Sequence, residues 1–98
     1  METQTLKTSS EVVGWFSFHP KILAMDTETT SLNYLELELV GMSFADDKHA
    51  CYIDYWSMDE TDRVQTINFL CVYLTECVDL LIFHNAPFDL KVCHKVGL

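Results

Sequence analysis

Four apolar residues, Ile22-Leu23-Ala24-Met25, run directly into Asp26-Thr27-Glu28. No other stretch constrains the fold as much. An apolar run of this kind suits a central strand covered on both faces. Alternate side chains of a strand share a face, so Asp26 and Glu28 project the same way at the strand's end. Their carboxylates then lie about two residue rises apart, roughly 6–7 Å. Two anionic oxygen donors at that separation can hold a hard divalent cation such as Mg²⁺. Burying them unpaired would cost several kcal/mol each, and no Lys or Arg stands between Lys21 and Lys48. Taken alone, the pair also suits a solvated strand end entering a polar turn, the commoner arrangement.

The sequence beyond this strand alternates between two periods. Thr29 to Tyr34 read as a polar turn around Asn33, with Leu32 as its apolar side chain. Leu35-Glu36-Leu37-Glu38-Leu39 alternates strictly and predicts a half-buried strand running on through Val40, Met42 and Phe44. Gly41 within it marks a bulge or a close backbone approach. After the polar connection 46–49, residues 51–56 predict a third strand, giving two hairpins in series. Ser57-x-x-Glu60 is a capping-box sequence, with Asp59 and Asp62 as first-turn acids. Ile67, Leu70, Cys71, Leu74 and Val78 then recur at helical spacing, so one amphipathic helix is predicted over about 59–77.

Leu80-Leu81-Ile82-Phe83 is a short buried strand, and its approach through a helix predicts parallel pairing. A last helix follows, with Asn85 as N-cap, Pro87 in the first turn and Gly97 just past the end. The opening residues are less determinate. Ser9-Ser10-Glu11 ahead of Val12, Val13, Trp15 and Phe16 can start a short helix, which Gly14 weakens and His19-Pro20 ends. The expected order is therefore β-β-β-α-β-α, an α/β domain with residues 1–20 as a lead-in and 21–98 as its core.

A chain of 98 residues, 49% hydrophobic, forms one small domain with a core rather than a disordered tail. No apolar run approaches the length of a membrane span, and Met1-Glu2-Thr3-Gln4-Thr5 lacks the basic and apolar regions of a secretion signal. The expected location is intracellular and cytoplasmic, with no membrane partner. Fifteen acids against six bases give a net charge of -9, the wrong sign for holding nucleic acid by general electrostatics. A nuclease whose bound cations invert the local field remains compatible with it. Cys51, Cys71, Cys77 and Cys93 form no Cys-x-x-Cys pair, and His19, His49, His84 and His94 complete no zinc pattern. They are expected to be reduced core thiols.

Asp89 stands in the first turn of the last helix, just beyond the fourth strand. Parallel neighbouring strands release their following segments at the same sheet edge. Asp89 is therefore expected to reach Asp26 and Glu28 and to complete a cluster of three carboxylates. The ordinary alternative is a first-turn acid favoured by the helix dipole.

Three segments together resemble the proofreading 3′→5′ exonuclease domain of family A DNA polymerases, a ribonuclease H-like family. They are Asp26-Thr27-Glu28-Thr29-Thr30-Ser31-Leu32, Leu39-Val40-Gly41-Met42-Ser43-Phe44-Ala45, and His84-Asn85-Ala86-Pro87-Phe88-Asp89-Leu90. The first matches the family's Asp-x-Glu and the third its Asn-x-x-(Phe/Tyr)-Asp. The resemblance runs from about Ile22 to the end of the chain. It implies a mixed ribonuclease H-like sheet lacking its last strand and helix, and a domain that hydrolyses 3′-terminal nucleotides from DNA during replication. It further implies two divalent ions, Mg²⁺ or Mn²⁺, with Asp26, Glu28 and Asp89 as catalytic metal ligands. Asn85 and Phe88 would place the terminal nucleotide, Leu32 would pack on its base, and Thr27 and Thr29 would lie beside the 3′ end. The implied partners are a single-stranded or frayed DNA 3′ end and the remainder of the exonuclease or polymerase chain.

One departure matters. The family's third motif, (Tyr/His)-x-x-x-Asp, does not occur after Asp89. The chain is therefore expected to be the N-terminal part of such a domain, inactive by itself. Two alternatives stand beside this reading: a non-catalytic remnant serving as a structural or interaction module, and a related RNA-trimming exonuclease.

Overall fold

The sheet begins earlier than the sequence pattern predicts. In the computed structural model, which describes residues 2–18 and 20–98 with only the backbone of Phe18, Thr3–Leu6 already forms a strand, β1. The predicted helix stop at His19 lies outside the described residues. Helix α1 (Ser9–Trp15) follows, capped by the Thr8 hydroxyl, which accepts from the amide of Glu11. Then come β2 (Ile22–Thr29), β3 (Leu39–Ala45), β4 (Ala50–Ile53), α2 (Glu60–Glu76), β5 (Leu80–Phe83) and α3 (Ala86–Val96). The strands lie in the order β1-β4-β3-β2-β5. β2 to β4 form the two expected hairpins, while β1 joins β4, and β5 joins β2, in parallel.

Two local expectations need correction. The strict alternation from Leu35 is not a strand before Leu39. The Asn33 carbonyl accepts from the amides of Glu36 and Leu37 at 3.0 and 2.9 Å, and its side-chain oxygen accepts from that of Leu35 at 3.0 Å. This asparagine turn satisfies the backbone locally, leaving Leu35 84% exposed while Leu37 is buried. The cap of α2 is Asp59, which accepts from the amide of Asp62, rather than Ser57. Ser57 instead closes a 3₁₀ turn over Tyr55–Ser57 with the Asp54 carboxylate. That turn ends β4 at Ile53, and Arg63 holds it by donating to the carbonyls of Tyr55 and Trp56.

A third correction concerns the central strand. β2 is covered on one face, not two: Leu23 and Met25 are buried, whereas Ile22 is 55% exposed. The helices gather on the face that carries Leu23, Met25, Phe44, Cys51 and Ile53. Phe16, just past α1, is the hub there. Its ring meets Trp15, Phe44 of β3, and Phe69 and Tyr73 of α2 at centroid separations of 4.8 to 5.8 Å. Such aromatic pairs add to plain area burial. On α2, Thr66, Ile67, Leu70 and Tyr73 are the buried stripe, so the predicted period holds for the inner face. Cys71 falls outside it and is exposed, so it is not a core thiol; Cys51 and Cys93 are. Burial pushes their thiols up, to about 12 and about 11, which keeps them protonated and unreactive.

Candidate active site

Strand phase decides which side chains meet at the end of β2. Asp26 pairs across to Ser43 and Glu28 to Gly41, on the face away from the helices. Both acids are exposed. The Asp26 carboxylate accepts from the Thr27 amide at 3.0 Å, and Glu28 Oε2 accepts from the Tyr52 hydroxyl at 3.1 Å. Neither has a Lys, Arg or His partner within ion-pair distance among the described residues. Beside Asp26 the open face forms a shallow depression of about 490 Å³ whose lining includes Ser43, Ala45, Ile82 and His84.

Thr27, one residue out of phase, points to the opposite face. Its hydroxyl donates to Asp89 Oδ1 at 2.6 Å, and Asp89 Oδ2 accepts from the Asn85 amide at 3.1 Å. Asp89 is 1% exposed. A carboxylate buried this deeply needs such donors. Its second bond reaches back from the first turn of α3 to the amide of the N-cap residue, Asn85, and satisfies that helix-end donor. Asn85 occupies the N-cap position as expected, but its own side chain makes no capping bond. Asp89 thus ties β2 to α3.

The expected convergence of three carboxylates is therefore corrected. Asp26 and Glu28 share the open face, and Asp89 lies with Thr27 on the helix-covered side. Among the described residues no three His, Cys, Asp or Glu side chains group closely enough to hold a metal ion. The cause is the single sided layering: α3 packs on the covered face, so its first turn meets β2 through an odd-numbered residue. The open-face pair still fits a hard cation. It offers oxygen donors, it is solvent-accessible, and no Lys or Arg neutralises it.

The remaining predicted residues surround this edge. Thr29 is half-buried and donates to the carbonyl of Ser31 at 2.8 Å, closing the turn that carries Leu32. Leu32 itself is 84% exposed. Phe88 is half-buried against the core from α3. Sequence reasoning missed Tyr52. Its phenol is pushed up to about 12, first by burial and then by the bond to Glu28 and that residue's charge, so it is a donor at neutral pH. The available signals were strand alternation, which puts position 52 on the face of Asp26 once the strands are paired, and Gly41, read as a bulge or a close approach.

The sequence model of the 3′-5′ exonuclease family matches residues 3–98. The chain belongs to this 3′-5′ exonuclease family. The match begins at β1, well ahead of the motif residues. Among solved structures, Escherichia coli RNase D, described as an exoribonuclease involved in structured RNA processing, is similar with a TM-score of 0.73. The two are 17% identical, and the likeness covers 98% of this chain and 24% of that one. At this identity the likeness speaks for the fold, a ribonuclease H-like mixed sheet. The exonuclease-family chain spans about a quarter of the RNase D structure. No curated protein matches it. Among its described residues no helix is long and apolar enough to cross a membrane.

Proposed function

We propose that this chain forms part of a divalent-metal 3′→5′ exonuclease that removes nucleotides from DNA 3′ ends during proofreading. The observation that carries the reading is the unpaired Asp26–Glu28 dyad on the open face, at the strand end that releases the Leu32 turn. Asp26 and Glu28 would hold the cation, Mg²⁺ or Mn²⁺. When bound, such an ion acidifies water and offsets the charge that develops on the attacked phosphate. Leu32 would pack on the terminal base, which must leave its stack to reach the site. Asn85 and Phe88 would place the terminal nucleotide, and Thr27 and Thr29 would flank the 3′ end. A site for two ions would also engage Asp89, at the expense of its bond to Thr27.

The likeness to RNase D favours a second reading, trimming of RNA 3′ ends. The two separate in one assay. Single-stranded DNA and RNA oligonucleotides of one sequence, labelled near their 3′ ends, are incubated with Mn²⁺ or Mg²⁺, with and without chelator. Nucleoside 5′-monophosphate release is measured for residues 1–98 and for the chain joined to a segment bearing Tyr-x-x-x-Asp. The isolated residues should stay near background, because a poorly placed nucleophile forfeits most of the proximity gain. The completed domain should degrade DNA faster than RNA, and chelator should stop it. Faster release from RNA would move the assignment to RNA trimming, and no release from the completed domain would favour a non-catalytic module.

A further inference from the structure

The open face contains one crossing that the family motifs do not explain. Gly41 and Glu28 are directly paired across β3 and β2, and Tyr52 on β4 pairs with Ser43, two residues further along β3. Tyr52 nevertheless hydrogen-bonds Glu28, two strands away. Its ring can do so because it lies diagonally over Gly41. A Cβ built at position 41 would collide with the Tyr52 hydroxyl and ring carbons. Gly41 is buried and has no positive φ, although the ladder shifts register just beyond it, between Glu28 and Thr29. The missing side chain is what the crossing requires.

We infer that Tyr52 is a positioning residue for Glu28: its phenol, passing through the gap at Gly41, holds the Glu28 carboxylate toward the sheet. The inference rests on the exonuclease reading for its purpose but not for its geometry. An exposed glutamate on a strand end otherwise samples several rotamers, and each must be frozen out before it can ligate. A hydrogen bond to one carboxylate oxygen leaves the other free to face a cation. Groups of this kind commonly tune metal sites from outside the ligand set. Aromatic cover of a strand glycine also has a packing role, so the test must separate the hydroxyl from the ring.

Tyr52→Phe keeps the ring over Gly41 and removes the donor. In the ¹³C-labelled chain, three-bond couplings to the Glu28 side chain should report one dominant χ1 rotamer for the wild type and averaged rotamers for Tyr52→Phe. The Mn²⁺ dissociation constant should rise about tenfold in Tyr52→Phe. It should not rise further when Tyr52→Phe is added to Glu28→Gln. Gly41→Ala, which displaces the ring, should reproduce the rotamer averaging; a Gly41→Ala chain that fails to fold leaves Tyr52→Phe to decide. Identical Glu28 couplings in wild type and Tyr52→Phe would overturn the positioning role whatever the metal data show. Absence of Mn²⁺ binding by the wild type would instead count against the metal reading, with the couplings still deciding the role of Tyr52.

Discussion

The two faces of the sheet are built on opposite principles. On the covered face Leu23, Met25, Phe44 and Ile53 are all but inaccessible, and the aromatic hub at Phe16 closes over them. On the open face the same strands present Asp26, Glu28, Ser43 and Tyr52, with Ile22, Leu80 and Ile82 about half exposed. One face supplies stability and the other carries the acids. A strand can serve both because its side chains alternate. Thr27 joins the two faces, because its neighbours on either side are candidate ligands while it faces the core side. Through it, Asp89 belongs structurally to the stabilising face.

Core truncation should reveal the contrast most strongly. Phe44→Ala removes a buried ring that touches Phe16 and should cost about 3–5 kcal/mol. Ile82→Ser on the open face should cost under about 1 kcal/mol, given its half exposure. It should also reduce self-association, because β5 is an edge strand with an apolar open side. Urea unfolding and sedimentation of both variants measure these effects. Comparable destabilisation by the two would erase the distinction between the faces.

The next contrast is between two acids of the motif set. Asp89→Ala breaks the bonds to Thr27 and Asn85 and should cost about 2–3 kcal/mol, as expected for a buried carboxylate with two donors. Asp26→Ala is an exposed change and should stay within about 0.5 kcal/mol of the wild type. Mn²⁺ titration should rank them the other way, with Asp26→Ala losing most of the binding and Asp89→Ala less. Equal ranks in thermal melts and metal titrations would mean that stability and site are not divided between the faces.

The smallest effect expected is acid sensitivity of the covered side. Asp62 on α2 accepts from the hydroxyl and amide of Ser9 on α1, and those bonds hold its carboxyl below the usual value of 3.8. A lowered folded-state pKa stabilises fully above the unfolded value and is lost as pH falls through the folded one. Thermal melts between about pH 6 and about pH 2.5 should therefore decline on the acid side. Asp62→Ala should make that decline shallower, and an unchanged slope would remove Asp62 as a cause.

Local chemistry by itself determined much of this protein. Period-two alternation placed Asp26 and Glu28 on a common face, since that follows from one strand's geometry. The span Leu80–Phe83 (though not its expected burial, since Leu80 and Ile82 are about half exposed), the long inner stripe of α2 and the terminal glycine of α3 were equally readable. Gly97 adopts φ 96°, the left-handed turn expected of it. The Leu35 to Leu39 alternation misled because Asn33 offers the backbone a turn that hydrophobic periodicity does not register. β1 was missed because Thr3-Gln4-Thr5 carries no apolar signal and gains its bonds from β4. Tertiary structure alone decided which face the helices cover. An apolar run such as Ile22 to Met25 has side chains fit for burial on both sides, and only the packing of α2 and α3 chooses between them. That long-range choice turned Asp89 toward Thr27, and it brought Tyr52 across Gly41 to Glu28, a contact between three strands that no single strand's sequence encodes.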